Sequence, residues 1–220
     1  MVRFALLASM SAVTLLSATF ARAEMSWNGK VGADFWFAET KVDNVHRDNG
    51  GSPVIYAAIE QDLRFVPHVS VRSTWVEAKY TAFDKYDFTF YYNLLDRELM
   101  TFDAGLTLTS YQNSHYLDKD NGNTRLDFDE LTHNWYAYAE IYVPKTNLDI
   151  IGQFDFGNSK GIKSADVLAG MQYLVNLDKS TLALRGGYRV IDLEFSNPTP
   201  SKDIAYVFVN GWFLGGEWRY

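Results

Sequence analysis

Hydrophobic and polar residues alternate along most of this chain, as they do in β-strands that bury one face. In the run Leu99 to Tyr111, the even-numbered positions 100 to 108 are all apolar, whereas the odd-numbered positions 101 to 109 are Thr, Asp or Gly. A helix, with 3.6 residues per turn, would not separate the two classes in this way. Ten such runs are present: Lys30 to Ala38, Val54 to Leu63, Val69 to Tyr80, Tyr86 to Leu95, Leu99 to Tyr111, Trp135 to Val143, Leu148 to Phe156, Ala165 to Val175, Thr181 to Ile191 and Ile204 to Tyr220.

The connections between these runs alternate in length. Four are tight: 64–68, 96–98, 144–147 and 176–180. Three others are long and polar, 39–52, 112–131 and 194–203, and two of middling length, 81–85 and 158–164, fall on the long side of the count. If both termini lie on one side, ten strands place every tight turn on that side and every longer loop on the other, as in transmembrane β-barrels. We therefore predict an all-β fold, a transmembrane antiparallel up-and-down β-barrel of ten strands, with eight or twelve as alternatives.

The composition of the two faces favours a barrel in lipid over a lipocalin-like barrel in water. The polar face mixes charges of both signs with glycines such as Gly105 and Gly187, which make room for large polar neighbours in a narrow lumen. The apolar face carries aromatic residues near the strand ends, where they would form the interfacial girdles of a bilayer barrel. The predicted girdle consists of Trp75, Trp135, Tyr173, Trp212 and Trp218.

The first 23 residues have the organisation of a signal peptide. Arg3 precedes an apolar run from Phe4 to Phe20, and the small residues Ala21 and Ala23 form a cleavage site. The run contains five Ser or Thr residues and barely reaches the roughly 20 apolar residues that a membrane-spanning helix needs. We therefore predict a signal peptide at 1–23 and a single outer-membrane β-barrel domain at 24–220.

Composition excludes several classes of protein. The chain has no cysteine, which excludes a disulfide framework, a thiolate metal site and a cysteine nucleophile. Its formal charge is -7, and the loss of the two positive charges Arg3 and Arg22 with the signal peptide makes it -9. An acidic chain of this kind lacks the electrostatic footprint of a nucleic-acid-binding protein.

The last strand ends on alternate aromatic residues, Trp218 and Tyr220. This ending resembles the C-terminal signature of bacterial outer-membrane proteins, which the barrel insertion machinery recognises in that class. The chain as a whole resembles the small outer-membrane β-barrel proteins of Gram-negative bacteria. More narrowly, the segments Phe88 to Asp96, Leu99 to Tyr111 and Phe213 to Trp218 are similar to a family of outer-membrane proteins with a Gly-Gly element.

The resemblance covers about a quarter of the chain. It implies an outer-membrane location, a barrel of about ten strands, and biogenesis through periplasmic chaperones and the barrel insertion machinery. It supplies no catalytic residues.

The alternation also places charges of both signs in the lumen. The predicted inward charges are Asp34, Glu60, Arg72, Asp87, Asp103, Glu140, Asp155, Asp166, Arg185 and Arg189, together with Lys30, Asp62, Asp149, Glu217 and Arg219. They can fill a narrow barrel as salt bridges, or they can form the acidic wall of a narrow cation-preferring pore. Eight strands just hold packed side chains and sixteen leave a channel, so ten leave at most a thin water path.

Three further features suggest possible sites. In the long loop 112–131, Asp118 and Asp120 are candidate Ca²⁺ ligands, but the glycine spacing and Asp129 do not fit an EF-hand, so we predict a solvated loop without metal.

His115 and His133 are the candidate catalytic bases of an enzyme at the outer rim. Ser114 is adjacent to His115, yet neighbours on a strand point to opposite faces.

We expect a non-enzymatic structural or surface barrel in the bacterial outer membrane, with at most a narrow cation-preferring or small-solute path. No catalytic residue and no cofactor is predicted, and the expected surroundings are outer-membrane lipid and lipopolysaccharide rather than nucleic acid. The rival hypothesis is an outer-membrane enzyme, such as a lipid A deacylase, an acyltransferase or a protease-like barrel. A third is recognition of a partner by the loop 112–131, and the sequence leaves the oligomeric state open.

Overall fold

A computed structural model describes residues 27–43, 46–63, 65–118, 122–199 and 202–220. The predicted signal peptide, 1–23, lies outside these residues. The described residues form eleven strands: β1 Trp27–Val42, β2 His46–Gln61, β3 His68–Glu77, β4 Thr81–Arg97, β5 Met100–Asp118, β6 Thr124–Asp127, β7 Leu131–Tyr142, β8 Leu148–Ser159, β9 Ile162–Asn176, β10 Thr181–Thr199 and β11 Lys202–Arg219. In this part of the chain, no helix is long and apolar enough to cross a membrane.

Ten of the strands form a closed antiparallel barrel, which confirms the predicted fold and strand number. Each long strand pairs with the next long strand in sequence, and the pairing of β4 with β5 is one of these. The barrel closes between the first and last strands, where Phe35 lies opposite Leu214. The short strand β6 pairs with the outer end of β5, so β7 is the next barrel strand beside β5.

The hairpins on the side of the termini are tight, as predicted. Only Glu98 and Leu99 separate β4 from β5, and the turns between β7 and β8 and between β9 and β10 are also short. Lys145, in the turn before β8, has a positive φ of 65°, a conformation that lets the chain reverse over few residues. We call this end of the barrel the terminal end and the opposite end the outer end.

The predicted long loops at the outer end are wrong in extent, because most of their residues continue the strands. Much of 39–52 belongs to β1 and β2, much of 112–131 to β5 and β6, and nearly all of the described part of 194–203 to β10 and β11. The predicted connections 81–85 and 158–164 are also mostly strand. These segments are polar because their outward side chains face water beyond the apolar zone, and polarity on that face does not prevent backbone pairing.

An apolar zone covers the outer wall nearer the terminal end. Its outward side chains, such as Phe35, Ile55, Phe88, Leu184 and Leu214, are between 47% and 66% exposed. On β1 the outward apolar side chains run from Trp27 to Phe37, which matches the roughly 9 to 11 residues that a tilted strand needs to cross a bilayer. A continuous apolar surface of this size would be unfavourable in water and is the surface of a barrel that contacts lipid.

The distribution of polar and apolar side chains between the inner and outer faces of the barrel reverses along the strands. On β1, Phe35 and Phe37 point outward while Asp34 points inward. Nearer the outer end of the same strand, Glu39 and Lys41 point outward while Val42 is fully buried. The barrel thus has an apolar wall around polar contents at one end, and a polar wall around apolar contents at the other.

Candidate functional site

The middle of the lumen is crossed by a network of ion pairs, which we call the charge belt. Its members are Arg72, Lys85, Asp87, Asp155, Asp166 and Arg189. Asp166 accepts hydrogen bonds from Arg189 at 2.7 and 2.9 Å, from Lys85 at 3.0 Å and from Arg72 at 3.3 Å. With three cations and three anions, the belt is formally neutral, as buried charges need to be.

Hydroxyl groups complete the belt. Asp155 accepts a hydrogen bond from the Thr107 hydroxyl at 2.7 Å, and Asp87 accepts one from Thr109 at 2.7 Å. Lys85 contacts Asp87 at 2.6 Å and its side chain is 1% exposed. Because each carboxylate has several donors, removal of one member would leave a buried charge without a partner.

Lys85 was missed by the sequence prediction, which began that strand at Tyr86. The alternation does indicate it: Lys85 lies two residues before the predicted inward Asp87 and therefore on the same face, and the buried Phe83 lies two residues earlier still. A lysine and two acidic residues so close in sequence look like the polar connection that was predicted there.

A second set of ion pairs lies between the belt and the terminal end. Lys30 contacts Glu60 at 2.6 Å, and Arg219 contacts Glu140 at 3.1 Å and Glu217 at 2.6 Å. Arg185 contacts Glu217 at 3.2 Å and Asp34 at 3.5 Å, and it donates a hydrogen bond to the Tyr56 hydroxyl. A Cβ at Gly32 would overlap the Tyr56 ring, so this glycine makes room for a large polar neighbour, the role predicted for inward glycines.

The terminal end of the lumen is a wide cavity, which we call the vestibule. It has a volume of about 740 Å³ and is lined by residues of the first and last strands and of the terminal turns, including Asn28, Tyr220 and Lys179. Its inner end leads to a chamber of about 80 Å³, since Lys30, Glu60, Asp103 and Tyr138 line both spaces. Arg72 and Arg189 of the charge belt also line the chamber.

Beyond the belt, the outer half of the lumen is filled by apolar side chains, which we call the apolar plug. Its main members are Trp36, Val42, Phe83, Tyr111, Tyr116, Phe128, Ile191, Leu193, Phe195 and Val207, none more than 6% exposed. Aromatic rings pack together at its outer end. The ring centroids of Phe128 and Phe195 are 4.8 Å apart, and those of Tyr116 and Phe195 are 5.0 Å apart.

The plug was not predicted from the sequence. Phe128 follows β6 and enters the lumen from a segment that was expected to be a solvated loop. On β11, both faces are apolar between Ile204 and Val209, so alternation gives no indication of which face is buried. The reversal of the pattern at Glu39 and Lys41 is the signal that could have located it.

The structure places all ten predicted lumen charges on the inner face of the barrel. Arg72, Asp87, Asp155, Asp166 and Arg189 form part of the belt, and Asp34, Glu60, Asp103, Glu140 and Arg185 lie nearer the terminal end. Asp62, which was also predicted to face inward, lies in the turn after β2, where it is exposed and lines the vestibule.

The predicted girdle residues all point outward from the barrel. Trp135 is 63% exposed, Tyr173 48%, Trp212 67% and Trp218 44%. Trp75 is half-buried because its ring packs edge-on against Tyr86 at 6.4 Å. The final residue, Tyr220, is 63% exposed, and its backbone pairs with Gly29 of the first strand.

His115 is positioned by a β-bulge near the outer end of β5. Asn113 has a positive φ of 52°, and the register with β4 shifts between the pairs Asp84–Gln112 and Ala82–His115. As predicted from strand geometry, Ser114 and His115 point to opposite faces: Ser114 is buried and its hydroxyl donates to the carbonyl of Gln112.

The side chain of His115 has no carboxylate bonded to it, and its Nδ1 is buried without a hydrogen-bond partner in the described structure. Burial and the nearby positive charge of Arg125 lower the pKa of this imidazole.

His133 lies at a different place, on the outer wall. It borders a groove of about 530 Å³ with Trp135, Phe156, Lys163 and Asp192. Since His133 is paired in register with Leu108, the two candidate histidines are seven positions apart along β5, roughly 20 Å. They do not form one site.

Of the two candidate Ca²⁺ ligands, only Asp118 lies within the described residues. Asp118 is buried and forms an ion pair with Lys202 at 2.8 Å, and Asp120 lies outside the described residues. No group of three or more His, Asp or Glu side chains in the described structure is arranged to hold a metal ion.

Comparison with known proteins finds no matching family model and no matching curated protein. The resemblance to the family with a Gly-Gly element therefore stays a prediction. Among solved structures, the chain is similar to the β domain of the Bordetella autotransporter BrkA, with 11% identity, a TM-score of 0.48 and coverage of 89% of this chain and 99% of that chain.

Two further matches are Neisserial surface protein A, with 15% identity, a TM-score of 0.36 and coverage of 90% and 98%, and the Escherichia coli outer membrane protease OmpT, with 10%, 0.39, 93% and 99%. Because all three TM-scores are below 0.5, nothing about function is carried from these proteins to this chain.

Proposed function

We propose that this chain is an integral β-barrel of a bacterial outer membrane, that its lumen is closed, and that it acts without enzymatic chemistry as a surface barrel. The observation that carries this proposal is the reversal of the inside–outside pattern along the strands. An apolar wall nearer the terminal end suits lipid, and a polar wall around an apolar plug at the outer end suits water outside the membrane.

Two layers support a closed lumen. Trp36, Ile191 and Leu193 of the plug are fully buried, which leaves no room for water beside them. Below them, the charge belt joins β3, β4, β8, β9 and β10 across the lumen through direct ion pairs of 2.6 to 3.3 Å. A cation that entered the vestibule would have to break the belt and then enter apolar surroundings, so the cation-preferring path is the less favoured interpretation.

The outer hairpins would provide the surface that the protein presents. Lys202 forms ion pairs with Asp43 at 2.5 Å and with Asp118 at 2.8 Å. These three residues belong to the hairpins β1–β2, β5–β6 and β10–β11, so a single ammonium group joins all three. We propose that these joined outer hairpins serve for contact with a partner at the cell surface rather than for catalysis.

Lipid contacts would lie along the apolar wall and its edge. In the groove beside His133, the apolar rings of Trp135 and Phe156 lie next to the charged Lys163 and Asp192. This arrangement is typical of the boundary between hydrocarbon and head groups, where aromatic residues are enriched. We place the outer-leaflet head groups, including lipopolysaccharide, at this level.

A rim-site enzyme is not favoured by a specific observation. A general base needs an orienting partner and a nucleophile within hydrogen-bond reach. His115 and His133 are distant from each other, and in the described residues neither side chain is hydrogen-bonded to a carboxylate.

Site-directed labelling tests the location and orientation, because the natural chain has no cysteine. Asp203→Cys introduces a thiol at the exposed β10–β11 hairpin, and Asn147→Cys introduces one at an exposed terminal turn. In intact Gram-negative cells, a membrane-impermeant maleimide should label the first variant and should label the second only after the outer membrane is permeabilised. The reverse pattern, or equal labelling of both, would overturn the proposal.

A further inference from the structure

The part of the lumen between the charge belt and the terminal end carries more negative than positive charge. Its inward acidic side chains are Asp34, Glu60, Asp103, Glu140, Asp149 and Glu217. In the described structure, Lys30, Arg185 and Arg219 form ion pairs with four of them, Asp34, Glu60, Glu140 and Glu217. The Nδ1 of His68 accepts a hydrogen bond from the backbone N–H of Gln61. The remaining two acidic side chains, Asp103 and Asp149, have no ion-pair partner among the described residues.

Asp103 is the clearest of the uncompensated groups. It is 7% exposed and accepts one hydrogen bond, from the amide of Asn93 at 2.9 Å. Among the described residues, no lysine or arginine lies within 4.0 Å of its carboxylate, and the same is true of Asp149, which accepts a hydrogen bond from Gln172. A buried carboxylate without a cation is unfavourable in its charged form unless a ligand supplies the opposite charge; otherwise it is protonated.

A second observation points to a ligand rather than to diffuse charge. Asp34 lines the inner chamber and is 8% exposed, yet among the described residues its Oδ1 has no hydrogen-bond partner. The Nε of Arg185, 3.5 Å away, is also unpartnered, so this ion pair leaves a buried acceptor unsatisfied beside an open chamber. Buried acceptors of this kind are rare and normally have a partner when the site is complete.

We propose that the vestibule and chamber together bind a linear organic oligoamine. The carboxylates lie at different depths, since Glu140 lines the vestibule, Asp103 lines both spaces and Asp34 lines the chamber. A chain of ammonium groups can reach them in turn, whereas the described residues do not form a compact metal site. Tyr91, Tyr136 and Tyr138 line the same path, and their rings attract ammonium groups and pack against methylene segments.

This inference goes beyond the proposed function and depends only on the fold. It is compatible with a closed lumen, because the path ends at the charge belt. A labelling result that overturned the proposed orientation would change which compartment supplies the amine but would leave the binding site as it is.

The test is calorimetric titration of the refolded full barrel in detergent with spermidine, and with Mg²⁺ as the inorganic comparison. Saturable binding of one spermidine is expected. The neutral substitution Asp103→Asn should weaken it about tenfold or more, because it removes a charge-assisted contact. Asp178→Asn, an equal change of charge in an exposed terminal turn, is the matched control and should leave the affinity unchanged.

Three results would overturn the proposal. The first is absence of saturable binding by protein whose folding is verified by heat-modifiable gel migration. The second is equal weakening in both variants, which would indicate diffuse attraction to an acidic protein. The third is Mg²⁺ binding that is as tight as that of spermidine and equally dependent on Asp103, which would indicate an inorganic cation only.

Discussion

The guanidinium of Arg189 lies over the indole ring of Trp36, 5.0 Å from the ring centroid, and this contact joins the charge belt to the apolar plug. Both side chains are otherwise held in place: Trp36 donates a hydrogen bond to the carbonyl of Gly211 at 3.1 Å, and Arg189 donates to the Thr74 hydroxyl at 3.1 Å. A cation stacked on an aromatic ring is well placed at the boundary between a charged and an apolar layer.

Replacement of Trp36 by Ala should be strongly destabilising. The indole is fully buried, so its removal leaves a cavity and also removes the ring beneath Arg189. We expect the free energy of unfolding in urea to fall by about 3–5 kcal/mol. Trp36→Phe keeps an aromatic ring and should lose less. If both variants lost the same free energy of unfolding, the aromatic ring would not be the source of the stability at this position.

The charge belt predicts a difference between two buried aspartates. Asp166→Asn leaves three cations facing two carboxylates and should lower the free energy of unfolding by about 3–5 kcal/mol. Asp149→Asn is the matched control, because Asp149 is equally buried but has no basic partner in the described structure. Its unfolding free energy should stay the same or rise. If both variants lost the same stability, the belt would not be the source of the effect.

The apolar wall predicts how stability responds to a charge on the outside of the barrel. Leu184 is 51% exposed on the outward face of β10, so Leu184→Arg would place a cation in hydrocarbon and cost about 2–4 kcal/mol in lipid. Asn158→Arg, at an exposed outward position nearer the outer end, should change little. Unfolding in lipid vesicles measures both. A negligible cost for Leu184→Arg would argue against lipid contact at this wall.

His115 predicts a pH dependence in the outer hairpins. Its pKa is lowered in the folded protein by burial and by Arg125, so folding favours the neutral imidazole. The stability that this group contributes is fully present above its unfolded pKa of about 6.5 and is lost as the pH falls below that value. The unfolding free energy of the natural protein should therefore fall relative to that of His115→Gln as the pH is lowered from 7.5 to 5. A constant difference over that range would contradict the assignment.

The strands could be predicted from the sequence because their signal is local. The alternation of Phe102 with Asp103 and Thr107 with Leu108 depends only on neighbouring residues, and the structure confirms the strand that it predicts. The limits of the strands were misjudged where the outward residues become polar, as at Glu39 and Lys41, because a polar face in water resembles a loop in composition.

The interior could not be assembled from the sequence because its partners are distant. Arg72 contacts Asp155 and Asp166, which are 83 and 94 positions away, and such pairs depend on the closure and tilt of the barrel. The entry of Phe128 into the plug depends on the same closure. Alternation predicts which residues face inward, and the three-dimensional register decides whether they form a pore, a belt or a plug.

The closed lumen is tested most directly by single-channel recording of the refolded mature protein in planar bilayers, with folding verified by heat-modifiable migration. A closed lumen predicts no conductance steps over a range of voltages, because the plug and the charge belt block the path beyond the vestibule. Reproducible cation-selective steps from folded protein, weakened by neutralising both Asp103 and Glu140, would contradict it and would identify a small pore with an acidic wall.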